Sequence, residues 1–170
     1  HLNQDRPCRF VEASLDRLPF PDACFDLVWA WGAVEHTLRP WLVLAELDRV
    51  VRPGGCLLLA LYKKSSWTGL HQGLRAIFSR LPRSTHAALS GLIAWGADPL
   101  VRRFKRREKM RGGEGLAGLV HDWFFVPVRQ HFDPLGVRGW LEGRGYREEL
   151  FIPSTARFEF SSHFIVRSAK

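Results

Sequence analysis

Acidic residues are nearly absent from one long stretch of this chain. Between His71 and Arg111 only Asp98 and Glu108 stand against ten lysines and arginines. That stretch carries the whole net charge of +8, so the rest of the 170 residues is neutral in sum. So localised a charge is the footprint of anionic lipid, nucleic acid or an acidic substrate, with a solvated helix face as the alternative that needs no partner. Cysteine is scarce as well. Cys8, Cys24 and Cys56 are odd in number and scattered, which fits a reduced, cytoplasmic chain better than a disulfide framework. The longest apolar run of the second half, Ala87 to Ala97, falls far short of a membrane span. No internal repeat is present. No Gly-x-Gly-x-Gly follows a strand before Phe10, and Gly112-Gly113-Glu114-Gly115 follows a basic helix instead, so it cannot serve as a nucleotide loop.

What remains is ordinary globular material. The hydrophobic fraction is 46%, enough for one domain with a proper core. The first third has α/β grammar. Arg9-Phe10-Val11 is a short strand candidate. Leu27 to Trp31 is a compact apolar run suited to a strand buried on both faces of a parallel sheet. Pro40 opens a helix that runs to about Val51, and Pro53-Gly54-Gly55 ends it before a strand from Cys56 to Leu61. Strand, crossover helix and parallel strand make one unit of a doubly wound sheet.

The middle differs in character. Leu70, Leu74, Ile77, Phe78 and Leu81 recur at helical spacing, closed by Pro82. Ala87 to Trp95 reads as a second helix and Val101 to Met110 as a third, strongly basic one, before the glycines from Gly112 to Gly118. The spacing predicts a helical insertion, or cap, over residues 67–111. The last third returns to α/β grammar: an aromatic strand Asp122 to Val128 limited by Pro127, a helix capped by Asp133 with Pro134 at its first position, and strands at Glu149 to Ile152 and Phe158 to Val166.

Leu18-Pro19-Phe20-Pro21-Asp22, then Phe25-Asp26-Leu27-Val28, then Arg52-Pro53-Gly54-Gly55 and an apolar strand together resemble the class I S-adenosylmethionine-dependent methyltransferases of the ubiquinone and menaquinone biosynthesis type. The likeness is strong from about Phe10 to Leu61 and loose from His121 to Ile152. It implies a partial Rossmann-like, doubly wound α/β sheet that ends in an antiparallel hairpin, with S-adenosyl-L-methionine as cofactor. In that family a glycine-rich loop precedes these motifs by several dozen residues. With His1 so close to the first matching segment, the chain is expected to be the carboxy-terminal portion of an enzyme, with weak cofactor affinity by itself.

The resemblance also implies site residues. Ser14 and Leu15 stand where relatives carry an acidic or amide residue and an alanine near the adenine. Ala30 and Trp31 end the strand at the place that touches the methionine portion, where open α/β sheets bind ligands. His36, within Glu35-His36-Thr37, matches a segment often reading His-His or Glu-His. An imidazole is suited to orienting an acceptor or taking a proton near neutrality, and packing at the helix entry is the structural alternative. His121 and His131 belong to a polar cluster that faces the acceptor in similar enzymes. Their spacing, with Asp122, matches no compact metal motif. Asp26 is expected to steady the loop before its strand, and Glu46 to pair with Arg49 or Arg52.

A sulfonium donor is already activated, so such an enzyme mainly aligns the acceptor and excludes water. The acceptor class implied is a small molecule or a lipid-like one, with peripheral contact to an anionic membrane through 71–111. Nucleic acid is disfavoured: Ala30-Trp31-Gly32 stands where base-amino methylating enzymes carry Asn/Asp-Pro-Pro-aromatic, and the basic cluster lacks interleaved aromatics. The other reading that composition leaves open is a non-catalytic binding module using its basic helices.

Overall fold

The computed structural model describes residues 9–104, 116–152 and 161–169. They divide into two compact units, one of residues up to Lys63 with Gln130 onward, the other Lys64–Arg129.

The first unit is built on strand β1 (Phe25–Trp31), helix α1 (Pro40–Val50) and strand β2 (Val51–Tyr62). β1 and β2 are parallel, with Leu27 opposite Cys56 and Trp31 opposite Ala60. Pro40 takes the first position of α1, where its missing N–H costs nothing. The last carbonyls of α1 are not left bare. Arg49 and Val50 accept from the backbone N–H groups of Ala23 and Cys24, at 2.9 and 3.0 Å, so the loop entering β1 closes the helix end. Val51 already pairs with Phe25, but regular pairing resumes only at Cys56. Arg52 to Gly55 therefore loop out against the single residue Asp26, and Asp26 pairs with Arg52 at 2.5 Å.

The rest of this sheet is antiparallel. Helix α5 (Pro134–Gly143) leads to β3 (Tyr146–Ile152), and β4 (Ser161–Ser168) inserts between β2 and β3. Asp133 caps α5 by accepting from the N–H of Leu135. The closing hairpin is thus the one implied by the resemblance, and the sheet order is β1-β2-β4-β3. Leu57, Leu59 and Leu61 alternate inward along β2 and share a core with Val43, Leu44, Leu47, Val137, Leu141, Phe164 and Val166.

Two expectations for this unit are corrected. Arg9-Phe10-Val11 forms no strand: Phe10 is 96% exposed, and no partner strand lies beside it among the described residues. β1 is also not buried on both faces. Ala30 lies in the core, but Leu27, Trp29 and Trp31 are 54%, 66% and 57% exposed, because no described element packs on the face to which these alternate positions point.

Among the described residues the regular structure of the second unit is helix alone: α2 (Thr68–Phe78), α3 (Arg83–Phe104) and α4 (Leu116–Phe124). The two helices expected at Ala87–Trp95 and Val101–Met110 are one, running through Pro99 as far as Phe104. A single proline forfeits one backbone hydrogen bond, which helical segments on both sides outweigh. Residues 105–110, like Gly112, Gly113 and Gly115, lie outside the described residues. The expected strand Asp122–Val128 is instead the last turn of α4 and a loop. Its aromatic residues suit a strand by propensity, but their rings pack within the helical unit: Phe78 meets Phe124 and Phe125 at 5.4 and 5.6 Å. Tertiary packing overrides β propensity here.

Candidate functional site

The Leu-Pro-Phe-Pro-Asp loop is held by one arginine. Arg49 on α1 donates to the carbonyls of Leu18 and Phe20, at 3.1 and 2.8 Å, and to Asp22 and Glu46, at 2.6 Å each. Glu46 accepts in turn from the N–H of Leu18 at 2.8 Å. The hydrogen bonds from Arg49 keep the Glu46 carboxyl below its usual range. Glu46 thus pairs with Arg49, and the pair fixes the loop that carries Ser14 and Leu15 on its upstream side.

A cavity of about 350 Å³ opens there, lined by Ser14, Leu15, Asp16, Thr37, Leu38, Arg39 and Val43. Leu15, Leu38 and Val43 supply apolar walls. Asp16 accepts from the Ser14 hydroxyl at 2.5 Å and from Arg39 at 2.8 Å, tying the two rims together. The Ser14 hydroxyl first, and Arg39 second among the lowering causes, hold the Asp16 carboxyl below its ordinary value. A lowered carboxyl value means the link stabilises above the ordinary carboxylate range and is lost as pH falls through the lowered value. Protection of the Ser14–Arg17 amides, measured against their intrinsic exchange rates, should therefore fall in acid, and Asp16→Asn should abolish that acid response. An unchanged pH dependence in Asp16→Asn would contradict the role given to Asp16.

A second group lies beside this cavity in sequence. The chain after β1 makes one tight turn, Val34–His36, before Thr37. Further on, Gln130–Phe132 crosses the carboxyl ends of the strands: the N–H of Gln130 donates to the Glu35 carbonyl and that of Phe132 to the Tyr62 carbonyl, both at 2.7 Å. This return brings His131 against Tyr62, with ring centroids 6.1 Å apart. His36 meets the same tyrosine ring edge-on at 5.7 Å. All three side chains are half-buried. His36, Tyr62 and His131 therefore form one polar–aromatic cluster at the carboxyl ends of β1 and β2, where open α/β sheets bind ligands.

The residues singled out from sequence fall in four places. Ser14 and Leu15 line the cavity. Ala30 is buried in the core, and Trp31, exposed at the end of β1, packs edge-on against Trp29 at 6.2 Å; neither lines the cavity. His36 and His131 share Tyr62. His121 belongs to the helical unit, where it stacks on Phe125 at 5.5 Å and lies 6.1 Å from His86. Among the described residues no group of three or more histidines, cysteines or carboxylates could hold a metal ion.

Tyr62, Leu38 and the Asp16–Arg39 pair were missed from sequence. Tyr62 had one available signal, as the polar-tipped residue that ends an otherwise aliphatic strand. Arg39 had none, because its partner lies 23 residues away. The cavity suits an adenosyl group in size and lining: compact, mostly apolar and edged by a few polar groups.

Residues 1–59 match the family model described as a methyltransferase domain. The chain is 33% identical over 149 residues to the malonyl-[acyl-carrier protein] O-methyltransferase of Pseudescherichia vulneris, covering 82% of this chain and 57% of that protein. It is 35% identical over 86 residues to the dimethylglycine N-methyltransferase of Parasynechococcus marenigrum, covering 50% and 30%. The chain thus spans little more than half the length of the first of these relatives. Its fold is similar to a SAM-dependent methyltransferase from Methanosarcina mazei, with a TM-score of 0.53, 15% identity and coverage of 98% and 71%. The shared motifs and these relatives make the chain similar to the class I S-adenosylmethionine-dependent methyltransferases, and the sheet shares the fold of such an enzyme.

Proposed function

We propose that this chain is part of an enzyme that moves a methyl group from S-adenosylmethionine to a small-molecule or lipid-like acceptor, with peripheral contact to anionic membrane. The observation that carries the reading is the adjacency of two sites across His36 and Thr37. Thr37 lines a cavity of adenosyl size, and His36 belongs to the cluster at the strand ends. Ser14, Leu15 and Leu38 would hold the adenosyl group, and Trp31 would border its methionine portion. When bound, the sulfonium supplies an activated methyl group. The protein then has to present the acceptor in line and keep water out. His36 and His131, set against the Tyr62 ring, would orient the acceptor, and either imidazole would accept a proton from an acidic acceptor atom. The names of the relatives include both an O- and an N-methyltransferase, in keeping with a small acceptor.

The test is a calorimetric titration of the full-length polypeptide with S-adenosylmethionine. Ser14→Trp places an indole at the rim of the cavity, on an exposed residue whose replacement should leave the core intact. Affinity should fall at least about tenfold, the loss of roughly 1.4 kcal/mol of binding. Unchanged affinity in a folded Ser14→Trp protein would remove the cavity from the account.

A further inference from the structure

Helix α2 is built with its polar side inward. Arg75, only 5% exposed, donates to the carbonyls of Trp123 and Val126 at 2.8 and 2.5 Å. His71 meets the same Trp123 carbonyl at 3.0 Å, and Gln72 donates to the Arg129 carbonyl at 2.8 Å. These side chains serve the backbone of the loop after α4, which otherwise would bury bare carbonyls. The apolar residues point the other way. Trp67, Leu70 and Ile77 are 67%, 57% and 61% exposed, and Leu74 is 37% exposed. Their steps of three, four and three residues keep them in one stripe of a helix with 3.6 residues per turn.

The surroundings of that stripe say what would cover it. Lys64 lies just before it, and Arg80 and Arg83 just after it, all exposed. No carboxylate occurs between Lys64 and Arg83. The unit Lys64–Arg129 holds twelve lysines and arginines against four acids, the whole net charge of the chain. Trp95 and Leu92 on α3 add exposed apolar surface, at 78% and 63%. A second copy docked on this stripe would set the same cations against themselves. A nucleic-acid backbone would use the cations and leave the apolar residues in water. An anionic bilayer surface satisfies both, because acyl chains take the apolar face and lipid phosphates the cations. Tryptophan at the helix entry suits the headgroup level. Among the described residues no helix is long and apolar enough to cross a membrane.

We infer that α2 is an interfacial helix, with Trp67, Leu70, Leu74 and Ile77 seated in the outer layer of an anionic membrane and Lys64, Arg80 and Arg83 on lipid phosphates. This rests on the membrane-peripheral part of the reading above, and it would deliver the protein to lipid-like acceptors.

The test is co-sedimentation of the chain with phosphatidylcholine vesicles, with and without phosphatidylglycerol. Binding should require phosphatidylglycerol, weaken with added salt, and shift Trp emission to the blue in a manner lost in Trp67→Phe. The double substitution Leu70→Ser with Ile77→Ser changes only exposed side chains, and helicity by circular dichroism checks the fold. It should lower partitioning at least about tenfold, as should Lys64→Glu with Arg80→Glu and Arg83→Glu. No binding to anionic vesicles, or equal binding by the serine variant, would overturn the inference. So would a dimer, abolished by the same serines, in protein that ignores vesicles. Cofactor affinity measured on the same variants without lipid reports on the methyl-transfer reading separately.

Discussion

Gly55→Ala should destabilise the first unit by about 1–3 kcal/mol, the range for forcing atoms into filled space. A Cβ at Gly55 would sit 2.8 Å from the Arg52 carbonyl oxygen, 2.9 Å from Val51 Cγ1 and 3.1 Å from the Asp26 carbonyl oxygen. Two of these are backbone atoms on the two edges of the loop-out, so neither can step aside without opening the β1–β2 pairing. Gly54 presents the opposite case. Nothing lies within 4 Å of its Cβ position, but its φ of +72° is left-handed, so alanine there costs about 1–2 kcal/mol from backbone strain alone. Chemical denaturation of both variants separates the two causes. Replacing Gly54 by asparagine, which tolerates that conformation, should recover much of the loss, whereas no side chain should be accepted at Gly55. A Gly55→Ala protein as stable as its parent would show that the Pro-Gly-Gly turn is looser than described.

Tyr62→Ala should lower kcat about a hundredfold, the scale on which a misplaced reactant slows a reaction, while leaving S-adenosylmethionine affinity unchanged. The argument is that Tyr62 is the common wall of His36 and His131, with centroids 5.7 and 6.1 Å away, and does not line the cavity. Removing the ring takes a shared contact from both imidazoles at once, so His36→Ala and His131→Ala should not sum with it. Tyr62→Phe keeps the ring and should retain most of the rate if orientation is the role. Steady-state kinetics together with calorimetry separate the outcomes. A parallel loss of rate and cofactor affinity would place Tyr62 on the donor side, and no loss of either would remove the cluster from the reaction.

Legibility from sequence followed locality. The β1–α1–β2 unit was readable because its signals sit where they act: Pro40 at the helix entry, Pro53-Gly54-Gly55 at the turn, and alternate leucines along β2. Asp133-Pro134 marked α5 for the same reason. The failures needed distant partners. Asp122 to Val128 looked like a strand because aromatic residues pack well in sheets. The carbonyls of Trp123 and Val126 are instead taken by His71 and Arg75 from a helix some fifty residues earlier. The exposure of Leu27, Trp29 and Trp31 was equally hidden, since an apolar run does not state which of its faces is covered. The cluster around Tyr62 depends on Gln130–Phe132 returning to the strand ends, a contact across the whole helical unit in sequence. Ser14 and Leu15, assigned by the family resemblance, line the cavity, whereas Trp31, assigned in the same way, does not.

The most direct measurement is a crystal structure of the full-length polypeptide with S-adenosylhomocysteine. The account predicts the adenine between Leu15 and Leu38, beside Ser14, with the sulfur directed toward His36 and Tyr62. An adenine bound away from the Ser14–Val43 cavity, or a sulfur pointing away from the carboxyl ends of β1 and β2, would contradict it.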